Sequence, residues 1–416
     1  MMSSEEMELM VDNRQLPVGW EIKTLGESCE FYNGKAHENH IDDNGSFIVV
    51  NSKFISSDGA KAKKTCHNLF PLYKNDIVMV MSDVPKGKAL AKCYLIEEDN
   101  KYSLNQRICV IRSNKFDTKF LYYHLNRHPY LLSFDNGGNQ TNLRKDDILK
   151  CPLYVPPLPE QKRIVAIADE AFEGIDRAIR NTEKNLSNAR ELFESYLNSI
   201  FTQKGDGWEE KTLQDILIVQ PRNGWSPPAN NHSDVGTPVL TLSSVTGFQF
   251  NKTKVKFTNA ATKKDAHYWL KNGELLITRS NTTELVGHVA ICKGLSEPII
   301  CCDLIMKMQI NPEKANTKFI YWHFRTHKLR ELITSSAQGA NPTMKKINKS
   351  IVQNLPVFFP DLSTQKAIVK KIDELSFETQ RLETIYRQKI AALKELKQSI
   401  LQKAFTGELT ADKGEK

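Results

Sequence analysis

No run of apolar residues in this sequence approaches the ~18 that a membrane-spanning helix needs, and no C-x-x-C pair occurs among its 8 cysteines. The first absence leaves membrane helices out of the reading. The second leaves Cys29, Cys66, Cys93, Cys109, Cys151, Cys292, Cys301 and Cys302 as reduced core thiols rather than a disulfide framework or a zinc site. The opening stretch MMSSEEMELMVDNR is acidic and has neither a basic n-region nor an apolar h-region, so no signal peptide is read and a cytoplasmic protein is expected. Catalytic signatures are missing too. SDVPKGKAL has Ser82 where the first glycine of a phosphate-binding loop belongs and Ala89 where its hydroxyl belongs. There is no N-P-P-[YF] or D-P-P-Y loop, no glycine-rich cofactor turn, and no cluster of paired carboxylates and lysine recognisable as a nuclease site.

What the sequence does have is a duplication. GWEIKTL (Gly19–Leu25) returns as GWEEKTL (Gly207–Leu213), and TKFLYYHLNRH (Thr118–His128) as TKFIYWHFRTH (Thr317–His327). PPLPEQKRIV (Pro156–Val165) aligns with FPDLSTQKAIV (Phe359–Val369) in a stretch, Pro152–Thr202 against Pro356–Thr406, that needs no gap. Gap-free similarity over such a length is what helices give, since they tolerate insertions poorly. Ile175, Ala178, Leu186, Phe193 and Leu197 in the first copy, and Leu382, Ile390, Leu393, Leu396 and Ile400 in the second, recur at threes and fours. They predict the seam of two long packed helices. The blocks between diverge and hold short β-rich runs such as NDIVMVMS, RICVIR, ELLITRS and LIMKMQI, parted by Asn, Gly, Ser and Lys turns.

The fold class expected is therefore α+β, with two pseudo-repeated α+β domains joined by two long antiparallel coiled-coil helices. The boundaries read are an N-terminal extension 1–15, a first domain 16–158, a central helix 159–204, a second domain 205–362, a C-terminal helix 363–409 and a tail 410–416. A net charge of +8 lies mainly in the two domain blocks and the C-terminal part, which permits nucleic acid as a partner.

The order of LPVGWEIKTLGE, GGNQTNLRKDDI, VPPLPEQKRIV and LKQSILQKAFTGEL resembles the specificity (S) subunit of type I restriction-modification systems, over residues 16–409. The second copy departs from the pattern where Ser363 and Thr364 stand in place of Pro159 and Glu160. The resemblance implies two target-recognition domains, each reading one half of a split double-stranded DNA site. It also implies helices on which two DNA methyltransferase (M) subunits dock, and restriction (R) subunits joining them. S-adenosylmethionine, ATP and magnesium would belong to those partners, with no cofactor in this chain, no membrane, and no catalysis by the chain alone. A coiled-coil scaffold joining two protein-binding domains is the alternative.

For DNA contact the residue types wanted are Asn and Gln for adenine, Arg for guanine, and Lys for phosphate, carried on loops. In the first domain these are Lys86, Lys88, Asn105, Gln106, Arg107, Asn139, Gln140, Asn142, Arg144 and Lys145. In the second they are Arg222, Asn223, Trp225, Arg279, Ser280, Asn281, Gln338, Asn341, Lys345 and Lys346. Turns use the same residue types. His124/His128 and His323/His327 are spaced i, i+4, but the glutamate of H-E-x-x-H is missing and no third ligand stands nearby, so no metal is read. A helix with its histidines along a polar edge is expected instead. NKTKVKF (Asn251–Phe257) reads as a strand with an exposed lysine edge.

Overall fold

Pro156 and Pro157 cannot continue a helix backwards, and a single helix, Leu158–Gln203, starts just after them; Pro360 stands in the same way before Leu362–Phe405. The computed structural model describes residues 16–84, 87–135, 137–205 and 207–411. Lys86, the extension 1–15 and most of the tail lie outside the described residues. The chain divides into two units, one running to Asn181 and resuming at Lys389, the other Thr182–Gln388. Each unit therefore owns one α+β block and a part of both long helices.

In the first unit a four-stranded antiparallel sheet has the order Glu30–Asn33, Ile108–Arg112, Ile77–Val80, Cys93–Leu95. Side chains alternate between its faces. Ile77 and Met79 join a cluster with Phe120, Leu121 and Ile164, while Val78 and Val80 join another with Phe54, Ile55 and Leu72. The second unit repeats the sheet as Leu217–Asn223, Ile305–Ile310, Leu275–Thr278, Val289–Ile291. Again Leu275 and Ile277 face one cluster and Leu276 the other. Burial on both faces explains why these strands read as unbroken apolar runs. In each unit the first strand closes on the last, Glu21–Thr24 on Pro152–Val155 and Glu209–Thr212 on Pro356–Phe359.

The repeated proline-turn-glutamine sequence builds a lock between block and helix. Gln161 is buried; its Oε1 accepts from the Asp117 amide at 2.8 Å and its Nε2 donates to the Pro156 carbonyl at 2.9 Å. Gln365 does the same with the Asn316 amide and the Pro360 carbonyl, both at 2.8 Å. Asp117 and Asn316 in turn cap the helices Thr118–Leu125 and Thr317–His323 through the amides of the second and third helical residues. Those helices reach back to the long ones: Lys119 and Tyr123 bond Asp169, and Lys318 and Trp322 bond Asp373.

Two expectations need correction. Leu382 and Leu396 are 39% and 48% exposed and do not lie in the seam. The shielded stripe of the second helix runs Gln365, Val369, Ile372, Ser376, Thr379, Glu383, Tyr386, Ile390, Leu393, Lys397, Ile400, Ala404. Each misplaced leucine stands one residue before a charged residue that holds the seam position. Glu383 takes a bidentate bond from Arg190 at 2.9 Å within the second unit, and Lys397 bonds both oxygens of Asp176 at 2.8 Å within the first. Ile175 is buried and Ala178, Leu186, Ile390, Leu393 and Ile400 are half-buried. Phe193 and Leu197 are buried in the second unit's main core, with Phe193 against Trp322.

Two of the histidines also differ from expectation, while His327 is exposed as expected. His124 and His323 are buried and stacked on Phe405 (4.3 Å) and Phe201 (4.7 Å), because the long helices cover the face that a lone block would leave to water. Their Nδ1 atoms have no partner among the described residues. Burial pushes His323 down to about 3 and His128 to about 4, and holds His124 well below its ordinary value.

Candidate nucleic-acid interface

Within each block the loops chosen from sequence meet at one end of the four-stranded sheet, drawn together by backbone hydrogen bonds. In the first unit Met81 is the hub. Its amide donates to the Arg107 carbonyl at 3.2 Å, and its carbonyl accepts from the Leu143 amide at 2.8 Å. Next to it Ser82–Asp83 pairs with Thr141–Asn142, and Gln140 Nε2 donates to Ser82 Oγ at 2.7 Å. The loops holding Lys88, Asn105–Arg107 and Asn139–Lys145 are thus one surface. Asp83 shapes its rim, its Oδ2 accepting from the Ala89 and Leu90 amides at 2.7 and 3.2 Å.

The second unit makes the same knot around Arg279. The Arg279 amide donates to the Leu304 carbonyl at 2.8 Å, and its carbonyl accepts from the Ile347 amide at 2.9 Å. Ser280–Asn281 pairs with Lys345–Lys346, and Gln338 bridges Lys346. Arg222, Asn223 and Trp225 run beside this knot, since the Gly224 amide bonds the Ile305 carbonyl at 3.0 Å.

Lys88, Gln106, Arg107, Asn139, Gln140, Asn142, Arg144 and Lys145 are exposed, as are Arg222, Gln338, Asn341 and Lys346. Asn105, Asn223, Arg279, Asn281 and Lys345 are half-buried, and Ser280 is buried in its strand. Several have local work. Gln106 Nε2 donates to Glu38 at 3.0 Å, Lys145 lies over the Phe31 ring, and Lys345 Nζ donates to the Gly339 carbonyl at 2.6 Å. Asn341 Oδ1 accepts from the Thr343 amide and hydroxyl and so shapes its own turn. Trp225 is half-buried and stacks on Tyr268 at 5.0 Å, which ties its loop to the core.

One element escaped the sequence reading. Asn33-Gly34 occupies in the first unit the place of Asn223-Gly224 in the second, and a Cβ at either glycine would lie 2.2 Å from the Asn105 carbonyl oxygen or 2.0 Å from that of Cys301. The chain crosses there too closely for any side chain. The signal was the recurrence of Asn-Gly at nearly the offset of the repeat's start, inside otherwise divergent blocks. Beside Gly34, His37 is buried; it bonds the Lys35 carbonyl through Nδ1 and Ser103 Oγ through Nε2, both at 2.7 Å. Burial lowers its pKa, so the neutral ring donates to the carbonyl and accepts from the hydroxyl.

Chemically, this is a surface of amides, guanidinium and ammonium groups on a rigid sheet end, suited to hydrogen bonding with base edges and phosphates. Among the described residues no group of three or more His, Cys, Asp or Glu could hold a metal ion. No helix among them is long and apolar enough to cross a membrane.

Comparison with known proteins agrees with this layout. The family model described as the type I restriction modification DNA specificity domain matches twice, at residues 17–186 and 205–394. The EcoKI type I restriction enzyme specificity subunit of Escherichia coli K12 is 24% identical, with 95% of this chain and 90% of the relative covered. The StySPI specificity subunit of Salmonella potsdam is 22% identical over the same shares. A solved structure described under complex assembly and conformational transition of the type I R-M system superposes with a TM-score of 0.72 at 21% identity, covering 95% of this chain and all of the other. The HsdS subunit of Thermoanaerobacter tengcongensis gives 0.54 at 20% identity, over 95% and 99%.

Proposed function

Because the chain belongs to the type I restriction-modification DNA specificity family, we propose that each of its two DNA-recognition domains reads one half of a bipartite double-stranded DNA site. The observation that carries this is the repeated knot: the same sheet end gathers the same loops in both blocks, while the side chains on those loops differ. The contact residues are those on the loops around Met81 and Arg279. Base edges meet Asn, Gln and Arg, and phosphates meet Lys.

The chain is non-catalytic in this reading. Two methyltransferase subunits dock on the long helices and restriction subunits join them, so that S-adenosylmethionine, ATP and magnesium act in the partners. Support for docking comes from apolar side chains left in solvent on the helices, Leu192 at 67% and Phe377 at 66% exposed in the second unit. A groove of about 1230 Å³ beside them is lined by Phe248, Trp322, Arg325 and Phe377. Mapping methylated adenines in cells with and without this protein tests the reading. The expected result is one two-part motif that disappears with the gene. Unchanged methylation would refute it.

A further inference from the structure

The two blocks differ along most of their strands, yet one electrostatic feature returns at the same register. In the first unit Thr65 pairs with Phe47 and bridges Ile41, and Lys63 pairs with Val49. In the second, Thr258 pairs with Thr237 and His232, and Lys256 pairs with Val239. Lys63 and Lys256 are therefore equivalent. Two residues earlier, just ahead of each strand, stand Lys61 and Lys254, matched by their count from the paired lysine. All four side chains are exposed. Among the described residues none of these four ammonium groups has a hydrogen-bond or ion-pair partner.

Each pair adjoins the surface described above. Lys63 lines a hollow of about 170 Å³ with His37, Asn51 and Asn105, which places it beside the Asn105–Arg107 loop. In the second unit Lys256 pairs with Val239, which bridges Ile300, and the next residue, Cys301, accepts from the Trp225 amide at 2.8 Å. We infer that Lys61, Lys63, Lys254 and Lys256 form a phosphate-contact strip in each unit that holds DNA without reading its sequence; this rests on the DNA-recognition reading above. Two domains that read different half-sites share nothing in their base contacts, but they share the sugar-phosphate backbone. Charge repeated at one register amid divergent sequence is what a common backbone contact requires. Lysines that only guard a sheet edge would leave the salt dependence of DNA binding unchanged when replaced by glutamine, so the test below separates the two accounts.

The test uses the full chain and two unrelated 40-base-pair duplexes, with affinity measured across a salt series. Each lost phosphate contact lowers the slope of log affinity against log salt by about 0.9. The variant K61Q/K63Q/K254Q/K256Q is expected to lower it by about 3.6, equally on both duplexes, and either double variant by about half as much. The four corresponding Lys→Arg substitutions keep the wild-type slope, which separates charge from folding. A Gln variant with the wild-type slope, or an Arg variant as impaired as the Gln variant, overturns the strip while leaving DNA recognition standing. A wild-type chain that binds neither duplex at any salt overturns the recognition reading itself.

Discussion

At the scale of single residues, the buried histidines set a pH dependence. His323 and His128 are held near 3 and 4, and His124 lower than its ordinary value, by removal from water. In the unfolded chain each titrates near 6.5. As pH falls through 6.5 the unfolded chain takes up protons that the folded one refuses, so stability declines on acidification by up to about 1.4 kcal/mol per pH unit for each such histidine. His323→Leu should make the melting temperature of the chain less sensitive to pH between 6.5 and 5; an unaltered slope would count against this origin. The i, i+4 spacing was visible in the sequence, but the burial was not. The rings that cover the histidines, Phe405 and Phe201, belong to helix ends 281 and 122 residues away along the chain.

At the scale of elements, the long helices were legible because they repeat without a gap, and the blocks because their strands alternate between two cores. The seam was legible only in part. A reading by polarity selected Leu382 and Leu396 over Glu383 and Lys397, since a charged residue in a seam is recognisable only when its partner, Arg190 or Asp176, is known to lie opposite. The glutamine lock yields a sharper expectation. Gln161→Leu leaves the Asp117 amide without its acceptor in a buried place, a cost of about 1–3 kcal/mol. The first unit should unfold at lower urea. Equal midpoints for wild type and Gln161→Leu would show that the lock holds nothing.

For the whole molecule, the loops were picked out by composition, but their convergence was not, because Met81 joins positions 26 and 62 residues further along through main-chain atoms alone. Exchanging residues 205–362 for the corresponding block of a relative should change one half of the methylated motif and keep the other. Sequencing of modified DNA from cells carrying the hybrid is the measurement, and a motif altered in both halves would end the one-domain, one-half assignment. The knots around Met81 and Arg279 carry one more consequence. Because they are tied by backbone amides and carbonyls, and pinned by glycines at Gly34 and Gly224 where no side chain fits, the crossings at Met81 and Arg279 do not depend on the side chains displayed beside them, whereas the turns that Asp83 and Asn341 shape do. If the proposed reading holds, substitutions at exposed loop positions away from those turns, such as Gln106 and Arg144, change the groups displayed and leave the crossings in place.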